Sequence, residues 1–370
     1  MNPLARWLLP LKRLDWGFLL TMFALMAVGI AFIYSASSRS EGTVLTELTQ
    51  RQLQWILTGL VLFVMVVVAD YRRVGESAWA AYVVGLVLLV LVLFMGKKIY
   101  GAVRWLNLFG IQIQPSEFAK LGTVIMLARF LSNPGRDMAD PRTLFKALLL
   151  VALPMLLIMR QPDLGTAATL LPVAFVMMFV AGVPPRYLFL LILVGVLAAI
   201  PGWFVLHDYQ RERIHVFFDP SRDPLGTGWN SIQSGIAVGS GGLTGKGFMM
   251  GTQNILGFLP RTVAPTDFIF SVIGEETGFV GSVTLLVLFA MLVGGCLRAA
   301  LASRDKLGRV LSVGVITLLF SHIVNMAMTV GLMPITGLPL PLVSYGGSFM
   351  MCTMLGLGLV QSVYVRRIRR

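Results

Sequence analysis

The sequence predicts an all-α polytopic membrane protein of about ten transmembrane helices. Three observations carry that prediction. Hydrophobic residues make up 56% of the 370 and charged residues only 13%, with a mean hydropathy of +0.82; a soluble domain of this size keeps far more charge. The apolar stretches are long enough for helices, which satisfy their own backbone inside a bilayer. The basic residues collect in alternate loops, as they do where cytoplasmic loops gather Lys and Arg.

The expected spans run roughly over 16–37, 53–70, 77–96, 116–132, 145–159, 166–182, 187–206, 268–297, 310–333 and 345–364. The first is read as retained, because no small-residue cleavage site follows a short apolar core. Several spans are short or carry Pro or Gly, as happens when helices pack around a cavity. With both termini cytoplasmic, eighteen of the 30 Lys and Arg residues fall inside, among them Arg6, Arg72, Arg73, Arg298, Arg369 and Arg370. The cluster at 366–370 reads as a topological anchor on anionic lipid. That distribution removes the nucleic-acid reading that a net charge of +13 invites. Cys296 and Cys352 lie within spans and read as small apolar fillers. The chain is therefore expected to be one transmembrane domain, 1–370, with a large outer loop at about 207–266 between the seventh and eighth spans. That loop is too polar to cross a bilayer, and its Trp, Phe, Ile and Met content predicts short helices on the membrane surface. Two further outer segments, 96–114 and 160–165, also keep charges.

Asp267 is the leading candidate for chemistry. It stands in Thr266-Asp-Phe-Ile-Phe270, where the eighth span begins, and an ionisable group there is a functional candidate by default. The bland alternative is an N-cap of that helix. Glu275 and Glu276 follow two turns later and read as structural, one paired inside the bundle and the other protonated or hydrogen-bonded. Glu117 and Lys120 are three apart in the fourth span and share a face, either as a structural pair or as part of a cavity wall. In Gln161-Pro-Asp-Leu-Gly165, Asp163 can cap the next helix or pair with Arg160, and Arg160 can instead face an anionic head group.

In the large loop, Arg211 and Arg213 sit within His207-Asp-Tyr-Gln-Arg-Glu-Arg213. This is either a self-neutralising patch or an anion site, since Arg forks match phosphate oxygens. A glycine-rich run, 236–247, contains Lys246 and permits close backbone approach to a phosphate, though its spacing is not that of a P-loop. Segment 334–348 holds three prolines and three glycines, which preclude a regular helix. Ser344, Tyr345 and Ser348 offer hydroxyls there, and Asn325 adds an amide. His207, His215 and His322 show no metal-ligand spacing, and no Ser-His-Asp set can be nominated. A carboxylate among outer-face cations suits a reaction that expels a phosphate leaving group.

These residues resemble the SEDS family (shape, elongation, division and sporulation) over nearly the whole chain. The most specific elements are Asn325 with Gly331-Leu-Met-Pro-Ile-Thr-Gly-Leu-Pro-Leu-Pro-Leu-Val-Ser-Tyr-Gly-Gly-Ser348. Gln114-Pro-Ser-Glu117, Gln161-Pro-Asp-Leu-Gly165, Asp223-Pro-Leu-Gly226, Thr266-Asp-Phe-Ile-Phe270 and Glu275-Glu276 match as well. His207-Asp-Tyr-Gln-Arg-Glu-Arg213 is similar to the RodA-like, cell-elongation branch rather than the FtsW-like, division branch. The resemblance implies a ten-span peptidoglycan glycosyltransferase in the bacterial inner membrane, with its active site facing the periplasm. It implies lipid II as substrate, inverting transfer with release of undecaprenyl diphosphate, and a class B penicillin-binding protein and the elongation machinery as partners.

The family's essential aspartate maps onto Asp267, and its fourth-helix Glu and Lys onto Glu117 and Lys120. Arg104, Arg211, Arg213 and Lys246 are then candidates for diphosphate contact, and Glu117, Lys120, Arg160, Asp163 and Ser344 for other substrate contacts. A divalent cation (Mg or Mn) can share the diphosphate, although no ligand set requires one. One departure stands out. The family commonly has Phe-Leu-Pro-Glu-x-His before Thr-Asp-Phe; here Phe258-Leu-Pro260 runs into Arg261-Thr-Val-Ala-Pro265, about two residues longer and without that Glu and His. Roles of those two side chains do not carry over. The competing readings are a flippase of lipid-linked precursors, whose broken helices and intramembrane charges would look similar, a scaffold that activates a partner enzyme, and the division-branch polymerase.

Overall fold

The computed structural model describes residues 11–38, 46–99, 102–108, 111–206, 208–223, 226–259 and 263–367. Arg6, His207, Pro224, Leu225, Pro260, Arg261, Thr262, Arg369 and Arg370, named above, lie outside the described residues.

Helix α1 (Trp16–Ser37) starts at Asp15, whose carboxylate accepts from the Phe18 N–H. Helix α2 (Glu47–Val68) is capped by Thr46, and a short α3 (Tyr71–Glu76) by Asp70. Then come α4 (Ala78–Met95) and three strands, β1 (Lys97–Ile99), β2 (Ala102–Leu108) and β3 (Ile111–Ile113), in an antiparallel meander. Strands in 96–114 are an addition to the all-helical expectation. The Val, Ile and Trp residues of that segment suit a pleated, half-buried surface.

Four helices follow: α5 (Pro115–Leu131), α6 (Pro141–Arg160), α7 (Leu164–Val180) and α8 (Pro185–Val205). The large loop contains α9 (Asp208–Phe218), a 3-10 turn at Pro220–Arg222, α10 (Thr227–Ser240) and α11 (Thr252–Ile255), so the expectation of short helices there holds. The chain closes with α12 (Ile269–Ala302), α13 (Lys306–Thr329) and α14 (Gly347–Val365).

Each of the ten expected spans overlies one of these helices. Eight, namely α1, α2, α4, α6, α8, α12, α13 and α14, are long and apolar enough to cross a membrane, and α7 is a shorter apolar helix. Helix α5 is different: it is 17 residues long and nearly every one is buried, including Glu117 and Lys120. It forms the inner post of the bundle, with α4, α6, α13 and α14 packed around it. Helix α8 is the opposite case. Bulky residues such as Phe189, Ile192, Val196 and Ile200 are exposed around its surface, as on a helix bathed in lipid.

One expected span is not continuous. Helix α12 breaks at Gly278, where φ is 65° and ψ is −156°, a conformation open essentially to glycine alone. The backbone groups released by the break are taken by the glycine-rich run. Lys246 N donates to Glu275 O and Gly247 N to Glu276 O, both at 3.0 Å, while Phe279 N donates to Gly242 O at 2.9 Å and Val280 N to Leu243 O at 3.1 Å. A methyl group on Gly245 or Gly278 would overlap backbone of the opposite segment. The run is thus a backbone brace for a broken helix, not a phosphate cradle. Gly278→Ala is expected to cost roughly 3 kcal/mol, from backbone strain and overlap together, read as a lower Tm of the purified chain. A Tm equal to that of the native protein would contradict the brace.

Candidate active site

Asp267 lines a cavity of about 300 Å³. The wall divides by chemistry: Arg213, Asp267, Asn230 and Ser231 are polar, while Val216, Phe217, Val330 and Met333 are apolar. Helices α9 and α10 of the large loop supply one side. The turn before α12 and the irregular segment after α13 supply the other.

The turn that carries Asp267 is folded by backbone bonds to Val263 O, from Asp267 N at 3.0 Å and Phe268 N at 3.0 Å. Helix α12 starts one residue later than the capping alternative requires: Phe268 holds the cap position, without a side-chain cap. Asp267 therefore stands outside the cap, and its carboxylate is left to the cavity. Burial pushes its pKa up to about 6, against the pull of Arg213 and Arg104, and the charge of Asp163 pushes the same way as burial. A carboxyl group with a pKa near the working pH is a better base than one at its ordinary value near 4.

Arg213 reaches in from α9 and donates from Nη1 to Ile335 O at 3.3 Å. Asp163 caps α7, accepting from Thr166 N at 3.3 Å, so the capping role is realised. The cation that faces it is Arg104 of β2, at 3.8 Å, and not Arg160, which lies exposed at the end of α6. Arg104 also donates to the carbonyls of Gln161 and Pro162. The small sheet thereby fixes the 161–165 turn, and Gly165 packs against Thr336 O so tightly that a side chain would overlap it.

The irregular stretch 331–346 joins these pieces. Asn325 of α13 donates from Nδ2 to Asp267 O at 2.7 Å and to Leu338 O at 2.6 Å. Ser344 Oγ accepts from Leu340 N at 2.8 Å and donates to Thr266 O at 2.6 Å. Tyr345 N donates to Pro265 O at 2.9 Å. Ser344, expected as a substrate contact, thus has its proton engaged one residue from Asp267, where it holds the turn.

Deeper in the bundle, Lys120 Nζ lies 2.9 Å from Glu117 Oε1 and 3.0 Å from His322 Nε2, with Lys120 and His322 at 0% exposure. His322 Nδ1 is 3.1 Å from Pro339 O. A carbonyl only accepts, so Nδ1 carries the proton and Nε2 accepts from Lys120. Spacing predicts the Glu117–Lys120 pair but not its third member. His322 and Asn325 are three apart on α13 and bind adjacent carbonyls, of Pro339 and Leu338. That periodicity was the available signal.

Two expected phosphate contacts lie elsewhere. Arg211 closes the end of α8, donating to Trp203 O and Phe204 O at 3.1 and 2.9 Å, because a helix C-terminus presents unpaired carbonyls. Lys246 pairs with Glu275 Oε1 at 2.7 Å, and Glu276 accepts from Ser35 Oγ at 2.5 Å. Among the described residues, no group of three or more His, Cys, Asp or Glu side chains is placed to hold a metal ion.

The comparisons with known proteins agree in direction. The MrdB peptidoglycan glycosyltransferase of Escherichia coli (strain K12) is 40% identical over 361 residues, covering 96% of this chain and 94% of that protein. The RodA peptidoglycan glycosyltransferase of Treponema pallidum is 34% identical, covering 96% and 98%. Among solved structures, a chain from a peptidoglycan synthase complex that coordinates polymerization and crosslinking superposes with a TM-score of 0.80 at 35% identity, covering 96% of this chain and 99% of that one. The crystal structure of the Thermus thermophilus rod shape determining protein RodA gives 0.72 at 33% identity, covering 96% and 98%. A family model described as "Cell cycle protein", spanning FtsW, RodA and SpoVE, matches residues 15–368; the chain belongs to that family.

Proposed function

We propose that the chain is an integral membrane peptidoglycan glycosyltransferase that polymerises lipid II for cell-wall elongation, with Asp267 as its general base. The observation that carries the proposal is the placement of one carboxylate, raised in pKa, with Arg213 in a cavity whose wall mixes polar and apolar side chains. The reading puts this cavity on the periplasmic face and a class B penicillin-binding protein at the chain's side as crosslinking partner.

In this mechanism Asp267 takes the proton from a hydroxyl of the acceptor's N-acetylglucosamine. The freed oxygen attacks the donor's anomeric carbon, and undecaprenyl diphosphate departs. An α-linked donor becomes a β-linked product, so one displacement inverts the centre and needs a single base. Arg213 stabilises the negative charge that develops on the leaving diphosphate. Arg104, held by Asp163 and two carbonyls, sets the field at Asp267. The cavity has room for sugar, while the polyprenyl chains stay in the bilayer, and holding both substrates there removes much of the entropic barrier.

The test is glycan-strand synthesis from labelled lipid II by the purified chain with its penicillin-binding partner. Polymer supports the reading. Precursor crossing a liposome membrane without polymer would favour a flippase instead. The pH dependence gives a second check. A base must be ionised, so polymerisation is expected to fall as pH drops through about 6. Arg213 lowers that pKa, so Arg213→Gln should move the acid limb to higher pH. A limb that stays in place would show that Arg213 does not act on the base.

A further inference from the structure

The break in α12 carries a second polar centre, formed by Glu275, Glu276, Lys246, Ser35, Gln253 and Asn254. Both carboxylates are buried, Glu275 at 0% and Glu276 at 2% exposure. Glu275 Oε1 is well supplied with donors, from Lys246 Nζ at 2.7 Å, Thr252 Oγ1 at 3.0 Å and Gln253 N at 3.0 Å. Glu276 takes Ser35 Oγ and, at 3.0 Å, the Met249 N–H.

Three buried oxygens of the same cluster receive no hydrogen bond: Glu275 Oε2, Gln253 Oε1 and Asn254 Oδ1. Asn254 is 2% exposed, and its orientation is fixed by its amide nitrogen, which donates to Ser35 O at 3.0 Å. All three orphans are acceptors. Buried acceptors left without a donor are costly and uncommon. Glu275 Oε2 and Glu276 Oε1 also converge on Gly251, where a Cβ would lie 2.8 and 3.2 Å from them.

The charges do not balance either. With both carboxylates ionised, Lys246 offsets one of them and leaves one negative charge. The first half of α12 ends here, and a helix C-terminus adds negative potential. A ligand that fits is positive and meets these acceptor oxygens with donors or with bare charge. Carboxylate and amide oxygens favour a hard cation, and a single uncompensated charge favours a monovalent one. Broken helices in membrane proteins are a known setting for such ions.

We propose that the α12 break binds an alkali-metal cation of the sodium class, through Glu275 Oε2, Glu276 Oε1 and the amide oxygens of Gln253 and Asn254. The ion ties α11 to the first half of α12, which begins two residues after Asp267, beside the contacts that Ser35 of α1 and Lys246 already make to the two carboxylates.

The test uses the full-length chain purified in detergent, with thermal unfolding followed in choline, sodium, potassium and magnesium chlorides at equal ionic strength. Sodium is expected to raise Tm over choline by about 2–4 °C in a saturable way, and Glu275→Gln should remove the rise. Asn254→Asp adds charge to the same oxygen set and should lower the half-saturating sodium concentration about tenfold. It decides the matter if Glu275→Gln fails to fold. Equal Tm in sodium and choline, an unchanged sodium increment in Glu275→Gln, a larger saturable rise with magnesium, or stabilisation only on acidification in choline would each overturn the proposal. The readout is stability, so it stands or falls apart from the role of Asp267.

Discussion

Asp267→Asn is expected to abolish glycan-strand synthesis while leaving the fold in place. Loss of a general base alone removes about a hundred- to ten-thousandfold in rate, which takes polymer below detection in a gel assay. The fold should survive because what anchors this residue is backbone. Asn325 binds the Asp267 carbonyl and the turn closes on Val263 O, and neither bond uses the carboxylate. An amide of the same size also removes a buried group whose ionisation is costly. The measurement compares polymer from native and variant chains, each shown by Tm and by co-purification to be folded and bound to the penicillin-binding partner. Equal polymer from both would place the base on another carboxylate.

Lys120→Met should be the most destabilising single change at the centre of the bundle. Glu117 lies at 4% exposure with Lys120 Nζ 2.9 Å away, and removing the cation strands that carboxylate and deprives His322 Nε2 of its donor. Breaking a buried ion pair from one side costs about 3–5 kcal/mol, a fall in Tm on the order of 10 °C. Replacing both partners, as Glu117→Gln with Lys120→Met, removes the stranded charge and should recover part of the loss. If the double variant is no more stable than Lys120→Met alone, the pair is not what holds this region.

The sequence was legible where meaning is local. Apolar run length located the ten helices, and i,i+3 spacing paired Glu117 with Lys120. The position of Asp267 at the head of a span singled it out. Long-range partners were not legible. His322 looked isolated because Lys120 lies 202 residues away. Arg104 replaced Arg160 at Asp163 because a β-meander, invisible to a helix-period reading, folds over the 161–165 turn. The glycine-rich run suggested a phosphate site, since glycine permits close backbone approach to any partner. Here the partner is the broken end of α12, and the break itself was hidden inside a stretch read as one continuous span.

The segment 331–346 has a consequence for how the molecule is made. Its backbone is held by side chains from elsewhere: Gln52 of α2 at Gly346, His322 and Asn325 of α13 at Pro339 and Leu338. In return, its Ser344 holds the carbonyl of Thr266, 78 residues earlier in the chain. Chains are synthesised from the N-terminus, so the turn bearing Asp267 leaves the ribosome well before its clasp exists. Closing that long loop has an entropic cost that rises with its length. A nascent chain halted before residue 344 would have most of its helices inserted and the Asp267 turn still unclasped, so the proposed base takes its final place only when the last turn before α14 forms.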